Sequence, residues 1–118
     1  MTRSELLPEI FYDESLESSE LELFQNKYLR AILKYQDFHL KALSIEACEK
    51  MNPKYKELNE RKRLSFLSKM IQNDQAFRNQ LVGLIIGFLE EEQFNWYLEN
   101  KSTCNKRILQ MAHKRIVG

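Results

Sequence analysis

Glycine and proline are scarce in this chain, with three and two copies among 118 residues. Because both residues favour turns and interrupt helices, their scarcity indicates few and long helical elements. The longest apolar run, residues 81–89, is much shorter than the about 20 residues that a helix needs to cross a bilayer. The sequence therefore predicts an all-α fold, a single-domain bundle of about five helices with one long first helix and no membrane span.

Cysteine and histidine are also rare, with two copies of each. Cys48 and Cys104 are far apart on predicted helices, so we expect two reduced, buried thiols rather than a disulfide or a metal site. His39 and His113 do not stand at metal-ligand spacing from another histidine, cysteine or carboxylate. A glycine-rich phosphate loop and a nucleophile elbow are missing as well. We therefore expect a noncatalytic protein without catalytic residues, metal or cofactor.

The acidic residues are concentrated at the start of the chain. Residues 1–26 hold seven acidic side chains against one arginine, a net charge of −6, whereas the whole chain carries +1. Pro8 and the lack of periodicity predict an acidic N-terminal arm over 1–18, followed by a helical bundle domain over 19–118. The arm is either a solvated tail or a segment that lies against the basic surface and screens it. Because no secretory signal is evident, we expect a cytoplasmic protein.

Helical periodicity and capping residues predict where the helices begin and end. The expected helices cover about 19–51, 60–72, a stretch that begins after Asn73 and Asp74, 90–98 and 103–117. Gly83 and Gly87 stand four residues apart in the third helix, which predicts close approach of another backbone. Gln36 and His39 interrupt apolar sectors of the first helix. We expect them to form a hydrogen-bonded core pair, and a small-molecule pocket beside them is the alternative.

The first predicted helix has an unusually broad apolar surface. On a helical wheel, two adjacent apolar sectors leave only a narrow polar strip, formed by Arg30, Lys34, Asp37, Lys41 and Ser44. Such a helix is either the central post of the bundle or half of a dimer interface. Our leading hypothesis is a module that binds another protein or a second copy of itself. Because interfaces favour aromatic residues, we predict its anchors to be Tyr28, Tyr35, Phe38 and Trp96.

The last predicted helix is basic, and no acidic residue occurs from Lys101 onward. One side of this helix carries Lys106, Arg107, Gln110, His113 and Lys114. These residues predict a nucleic-acid-binding face, so a nucleic-acid-binding or regulatory protein is the alternative function. A solvated terminal helix, whose basic residues the helix dipole favours, explains the same pattern. Arg115 falls in the apolar sector, where either its long stem snorkels to solvent or its head group meets an acid, and the N-terminal arm is one source of such an acid.

Three stretches resemble a family of small, uncharacterised bacterial proteins that often carry the label glyoxalase. They are residues 24–34, the helix with Gly83 and Gly87, and residues 105–108, and the resemblance extends over most of the chain after about residue 20. It implies a small helical bacterial protein and no known chemistry. Metal-chelating glyoxalases are built from βαβββ units with histidine and glutamate ligands on strands, which this sequence lacks. We therefore interpret the label as a mistaken transfer.

Overall fold

The computed structural model describes residues 6–7 and 19–117 of the chain. This part of the chain is helical and contains no strand, which confirms the predicted all-α class. Its α-helices are α1 (Glu20–Phe24), α2 (Arg30–Tyr35), α3 (Asp37–Met51), α4 (Glu60–Asn73), α5 (Gln75–Ile86), α6 (Glu91–Glu99) and α7 (Lys101–Val117). Apart from Leu6 and Leu7, the predicted acidic arm lies outside the described residues.

The predicted first helix is helical from α1 to α3, but it is not one regular helix. A π-helical segment, Gln25–Leu29, joins α1 to α2. Gln36, with φ −92° and ψ 12°, then leaves the helical conformation between α2 and α3. A π-helical turn contains more residues than an α-helical one, and both interruptions rotate the later side chains about the helix axis. A single helical wheel therefore cannot assign the faces of this stretch.

Three side chains of α3 lie on the opposite side from the one predicted. Ser44, expected in the polar strip, is buried, and its hydroxyl donates to the Leu40 carbonyl at 2.6 Å. Phe38 and Ile45, expected in an apolar sector, are 75% and 46% exposed. The predicted faces are wrong here because the buried side follows a spacing of four residues along Leu40, Ser44 and Cys48, which leaves Phe38 and Ile45 outside the core.

The predicted starts of three later helices are confirmed by their capping bonds. The side chains of Asn59 and Asp74 each accept the backbone N–H three residues further on, at 2.9 Å, and so begin α4 and α5. Glu90 and Gln93 form a reciprocal capping box at the start of α6. These bonds satisfy amide groups that have no partner within the helix, which is why the local sequence marks the boundaries well.

One apolar core joins the helices, and α7 packs against α3, α4 and α5. Phe77, Leu81 and Ile85 of α5 are almost completely buried in it. Cys48 and Cys104 are also buried, and neither forms a disulfide, as the sequence predicted. Among the described helices, none combines the length and the apolar character that a membrane crossing requires.

Among the described residues, no other helix brings its backbone close to Gly83 or Gly87, so the predicted close approach is wrong. Gly83 is exposed, and a Cβ atom placed there would have no neighbour within 4 Å in this part of the chain. A Cβ atom at Gly87 would lie 3.2 Å from the carbonyl oxygen of Gly83, in the same helix. Both glycines face solvent, because α5 buries its phenylalanine and leucine face instead.

Candidate interaction surfaces

Three apolar residues form an exposed line along α3, which we call the α3 stripe: Phe38, Ala42 and Ile45. Their spacing of four and three residues places them on one side of the helix. Tyr35, at the end of α2, is 44% exposed, and its ring centroid lies 5.1 Å from that of Phe88. Large apolar side chains at this exposure on one helix face are typical of an interaction surface.

An aromatic cluster lies where α1 and the π-helical segment face α6. The ring of Phe24 stacks on that of Trp96, with 4.5 Å between centroids, and meets Tyr28 edge-on at 5.3 Å. These rings line an open groove of about 760 Å³, which we call the aromatic groove. The structure therefore places two predicted anchors, Tyr28 and Trp96, in this groove, and Tyr35 and Phe38 elsewhere.

The rim of the aromatic groove is acidic. The charged side chains that line it are Glu20, Lys27, Glu92 and Glu99, with a net charge of −2. The ammonium nitrogen of Lys27 lies 5.8 Å from the ring centroid of Tyr28. Phe24, the centre of this cluster, is not among the predicted anchors, although its spacing of four residues from Tyr28 predicts that the two rings meet.

The predicted nucleic-acid face on α7 is divided by contacts within the protein. Arg107 donates from Nη1 to the side-chain oxygen of Gln25 in the π-helical segment. The Nε2 atom of His113 lies 2.9 Å from the hydroxyl oxygen of Ser68 on α4. Lys106, Gln110 and Lys114 remain exposed. Three of the five predicted residues therefore face solvent, and two hold α7 against other helices.

Helix α4 extends the basic surface of α7. His113 meets Ser68 and Ile116 shares a groove with Leu64, so α7 runs antiparallel beside α4. The exposed lysines of α7 are joined by three exposed basic residues of α4, which are Arg61, Lys62 and Lys69. Residues 61–73 and 100–118 contain no acidic residue. Glu60, the first residue of α4, is therefore the one acidic residue that α4 and α7 contribute to this surface. We call it the basic face.

Arg115 pairs with an acid of α3. Its Nη1 lies 3.2 Å from Oδ1 of Asp37, and Lys41 lies 3.1 Å from the other carboxylate oxygen. Partial burial acts to raise the pKa of Asp37, but the hydrogen bonds and charges of Lys41 and Arg115 outweigh it and lower the pKa below the ordinary value. The head group of Arg115 therefore meets an acid, which stands at the first position of α3, whereas the acids of the N-terminal arm lie outside the described residues.

Gln36 and His39 do not form the predicted core pair. Gln36 is buried, and its side-chain nitrogen donates to the carbonyl of Leu84 at 3.0 Å. His39 is exposed and its ring lies edge-on to Phe38. The break at Gln36 separates the two side chains. Within residues 6–7 and 19–117, no group of three or more histidine, cysteine or acidic side chains is placed to hold a metal ion.

Comparisons of the chain with models of protein families, with curated proteins and with solved structures give no match. The resemblance to the small bacterial family labelled glyoxalase therefore stays a prediction. The α3 stripe, the aromatic groove and the basic face are the observations on which a function rests.

Proposed function

We propose that this chain is a noncatalytic helical module that works by protein association, and that it forms a homodimer through the α3 stripe. The observation that supports this is Phe38, which is 75% exposed beside the half-exposed Ile45. Burying a phenylalanine or isoleucine side chain contributes about 1.5–3 kcal/mol. The exposed stripe therefore supplies a driving force for association that the folded monomer does not use.

The spacing of the stripe suits an antiparallel contact between two copies of α3. With Phe38, Ala42 and Ile45 along the seam, a two-fold axis near residues 43–44 places Ala42 opposite Ile45 of the partner subunit. A small residue then faces a large one, and the side chains interlock. The same arrangement places His39 opposite Glu46 of the partner subunit. Because the stripe is narrow, we expect a weak dimer with a Kd of about micromolar order.

Sedimentation velocity over a range of concentrations tests this proposal. The wild-type chain should pass from monomer to dimer as its concentration rises, and Phe38→Ser should raise the dimer Kd by at least about tenfold. Met51→Ser is the matched control, because Met51 is 60% exposed on α3 but lies outside the stripe. A wild-type chain that stays monomeric at every concentration would contradict the proposal.

The basic face favours a second function, the binding of nucleic acid. Its exposed lysines and arginine extend over two adjacent helices, and acids are missing from both helices after Glu60. Phosphate contacts of this kind weaken steeply with salt, since bound counterions are released. This arrangement supports the alternative more strongly than the basic residues of α7 alone.

Fluorescence anisotropy with labelled random DNA and RNA, repeated over a salt series, tests the second function. Lys106→Ala and Lys114→Ala should weaken binding and each reduce the salt slope by about one. Lys34→Ala and Lys50→Ala are controls, because these exposed lysines lie on α2 and α3. Deletion of residues 1–18 should strengthen binding if the acidic arm screens the basic face. Absence of binding at low salt would exclude this function.

A further inference from the structure

The aromatic groove combines a wall of partly buried rings with an acidic rim. We propose that it binds an arginine-bearing segment of a partner protein, whose guanidinium group lies against Tyr28 and Trp96 and within reach of the rim carboxylates. This site is separate from the α3 stripe. It does not require the homodimer.

The wall of the groove offers ring surfaces that are held in place. Phe24 is 5% exposed and stacks on Trp96, so the indole is supported from the protein side while its remaining surface lines the groove. Tyr28 meets Phe24 edge-on and lines the same groove. Cations bind preferentially over aromatic faces, most strongly over tryptophan, and arginine does so more often than lysine.

The rim adds a charge of the right sign for a cationic guest. Glu20 comes from α1, and Glu92 and Glu99 come from α6, so the acids flank the rings from both sides of the groove. An exposed ion pair contributes little by itself. Several acids around an aromatic surface, however, attract a cation and select it against a neutral or acidic segment.

The protein already places one of its own cations at this site. The Lys27 ammonium lies 5.8 Å from the Tyr28 centroid, within the about 6 Å over which a cation and a ring attract each other. Both residues belong to the π-helical segment, which Arg107 holds through Gln25. π-helical turns are rare and occur frequently at functional sites. We therefore assign Lys27 as a resident competitor that an incoming guanidinium displaces.

The shape of the groove favours a protein segment over a free small molecule. Half of its lining side chains, Glu20, Lys27, Glu92, Asn95 and Glu99, are exposed. Small-molecule sites normally enclose most of the ligand surface. In an open groove between two helices, a free cation keeps most of its contact with water, whereas a peptide adds contacts on both sides of the arginine.

The chain contains a single tryptophan, Trp96, so its intrinsic fluorescence reports directly on the groove. The probe is a short peptide of alternating glycine and arginine, titrated into the full chain at low salt. We expect a saturable change in Trp96 fluorescence that weakens as salt is added, and calorimetry on the same pair gives an independent Kd. The same peptide with glutamine in place of arginine should not bind.

Two groups of variants test the assigned roles. Lys27→Met removes the competitor and should tighten peptide binding by about threefold, a gain that a merely structural role of Lys27 does not predict. The double variant Glu92→Gln, Glu99→Gln should weaken binding by about tenfold. The matched control changes Glu57 and Glu60, two exposed acids outside the groove, to glutamine and should leave the Kd unchanged.

Several results would overturn this proposal. They are the absence of a saturable signal, equal binding of the glutamine peptide, or weaker binding by Lys27→Met. Arginine amide that binds as tightly as the peptide would overturn the assignment to a protein segment. A change in Trp96 fluorescence with protein concentration alone would show that a second copy fills the groove instead. Phe38→Ser should bind the peptide as the wild type does, so failure of the α3 dimer is distinguishable from failure of this site.

Discussion

Gln36 joins two distant parts of the fold, and its replacement by methionine is a sharp test of how the bundle is held together. The side chain lies at the break between α2 and α3 and donates to the carbonyl of Leu84 at 3.0 Å. Leu84 is the third residue from the end of α5, where carbonyl groups lack partners within their own helix. Gln36 therefore caps α5 from outside while it fixes the break in the first helical stretch.

The expected cost follows from burial and from the loss of one donor. Gln36 is 7% exposed, and methionine preserves its length and volume but cannot donate a hydrogen bond. A buried acceptor left without its partner costs about 1–3 kcal/mol, so Gln36→Met should lower the free energy of unfolding by about 1–2 kcal/mol. Gln36→Glu should cost more, because it brings a carboxylate to the negative end of the α5 dipole.

Urea unfolding followed by circular dichroism measures the change in free energy, and thermal unfolding should show a fall in Tm of about 4 °C per kcal/mol for a chain of this size. The matched control is Gln80→Met, because Gln80 is exposed on α5 and its replacement should change stability by less than about 0.5 kcal/mol. If Gln36→Met proved as stable as the wild type, the Gln36 bond to Leu84 would not contribute as argued.

Three further predictions concern charge, thiol reactivity and backbone freedom. Asp37→Asn should lower the free energy of unfolding by about 0.5–1 kcal/mol at pH 7. Because the folded pKa of Asp37 lies below the ordinary 3.8, this contribution is complete above about pH 4 and disappears as pH falls through the folded pKa. Urea unfolding over a pH series should therefore show the stabilities of the wild type and Asp37→Asn converging at low pH. A constant difference between them would contradict the pairing with Arg115. Burial raises the pKa of the Cys48 and Cys104 thiols, so Ellman's reagent should label them only as the protein unfolds, and rapid labelling of the native chain would refute their burial. Gly83→Ala should raise the free energy of unfolding by about 0.5–1 kcal/mol in the same urea assay, since a Cβ atom meets nothing there; a loss of stability would indicate hidden packing.

The interaction surfaces show why an anchor list made from sequence was incomplete. Tyr28 and Phe24 are neighbours in sequence, so their contact follows from helical spacing. Trp96 joins them only because α6 packs beside α1, a contact that no local pattern encodes. The four predicted anchors are partly or largely exposed, but their division between two surfaces depends on the packing of distant helices.

The sequence by itself determined the helical class and most helix boundaries of the described chain. Capping residues such as Asn59 and Asp74 act on backbone groups three residues away, so the information needed to begin a helix is local. The low content of glycine and proline and the absence of a long apolar run are likewise properties of composition. They need no knowledge of how the helices pack.

Only the tertiary structure decided which side of each helix is buried and which charges meet. Ser44 is buried and Phe38 is exposed because of the side on which α3 packs against the other helices, and Gln36 bonds to Leu84, 48 residues away. Arg115 pairs with Asp37, 78 residues distant. Helix formation depends on neighbours within a turn, whereas burial and ion pairing depend on contacts that exist only once the helices have packed.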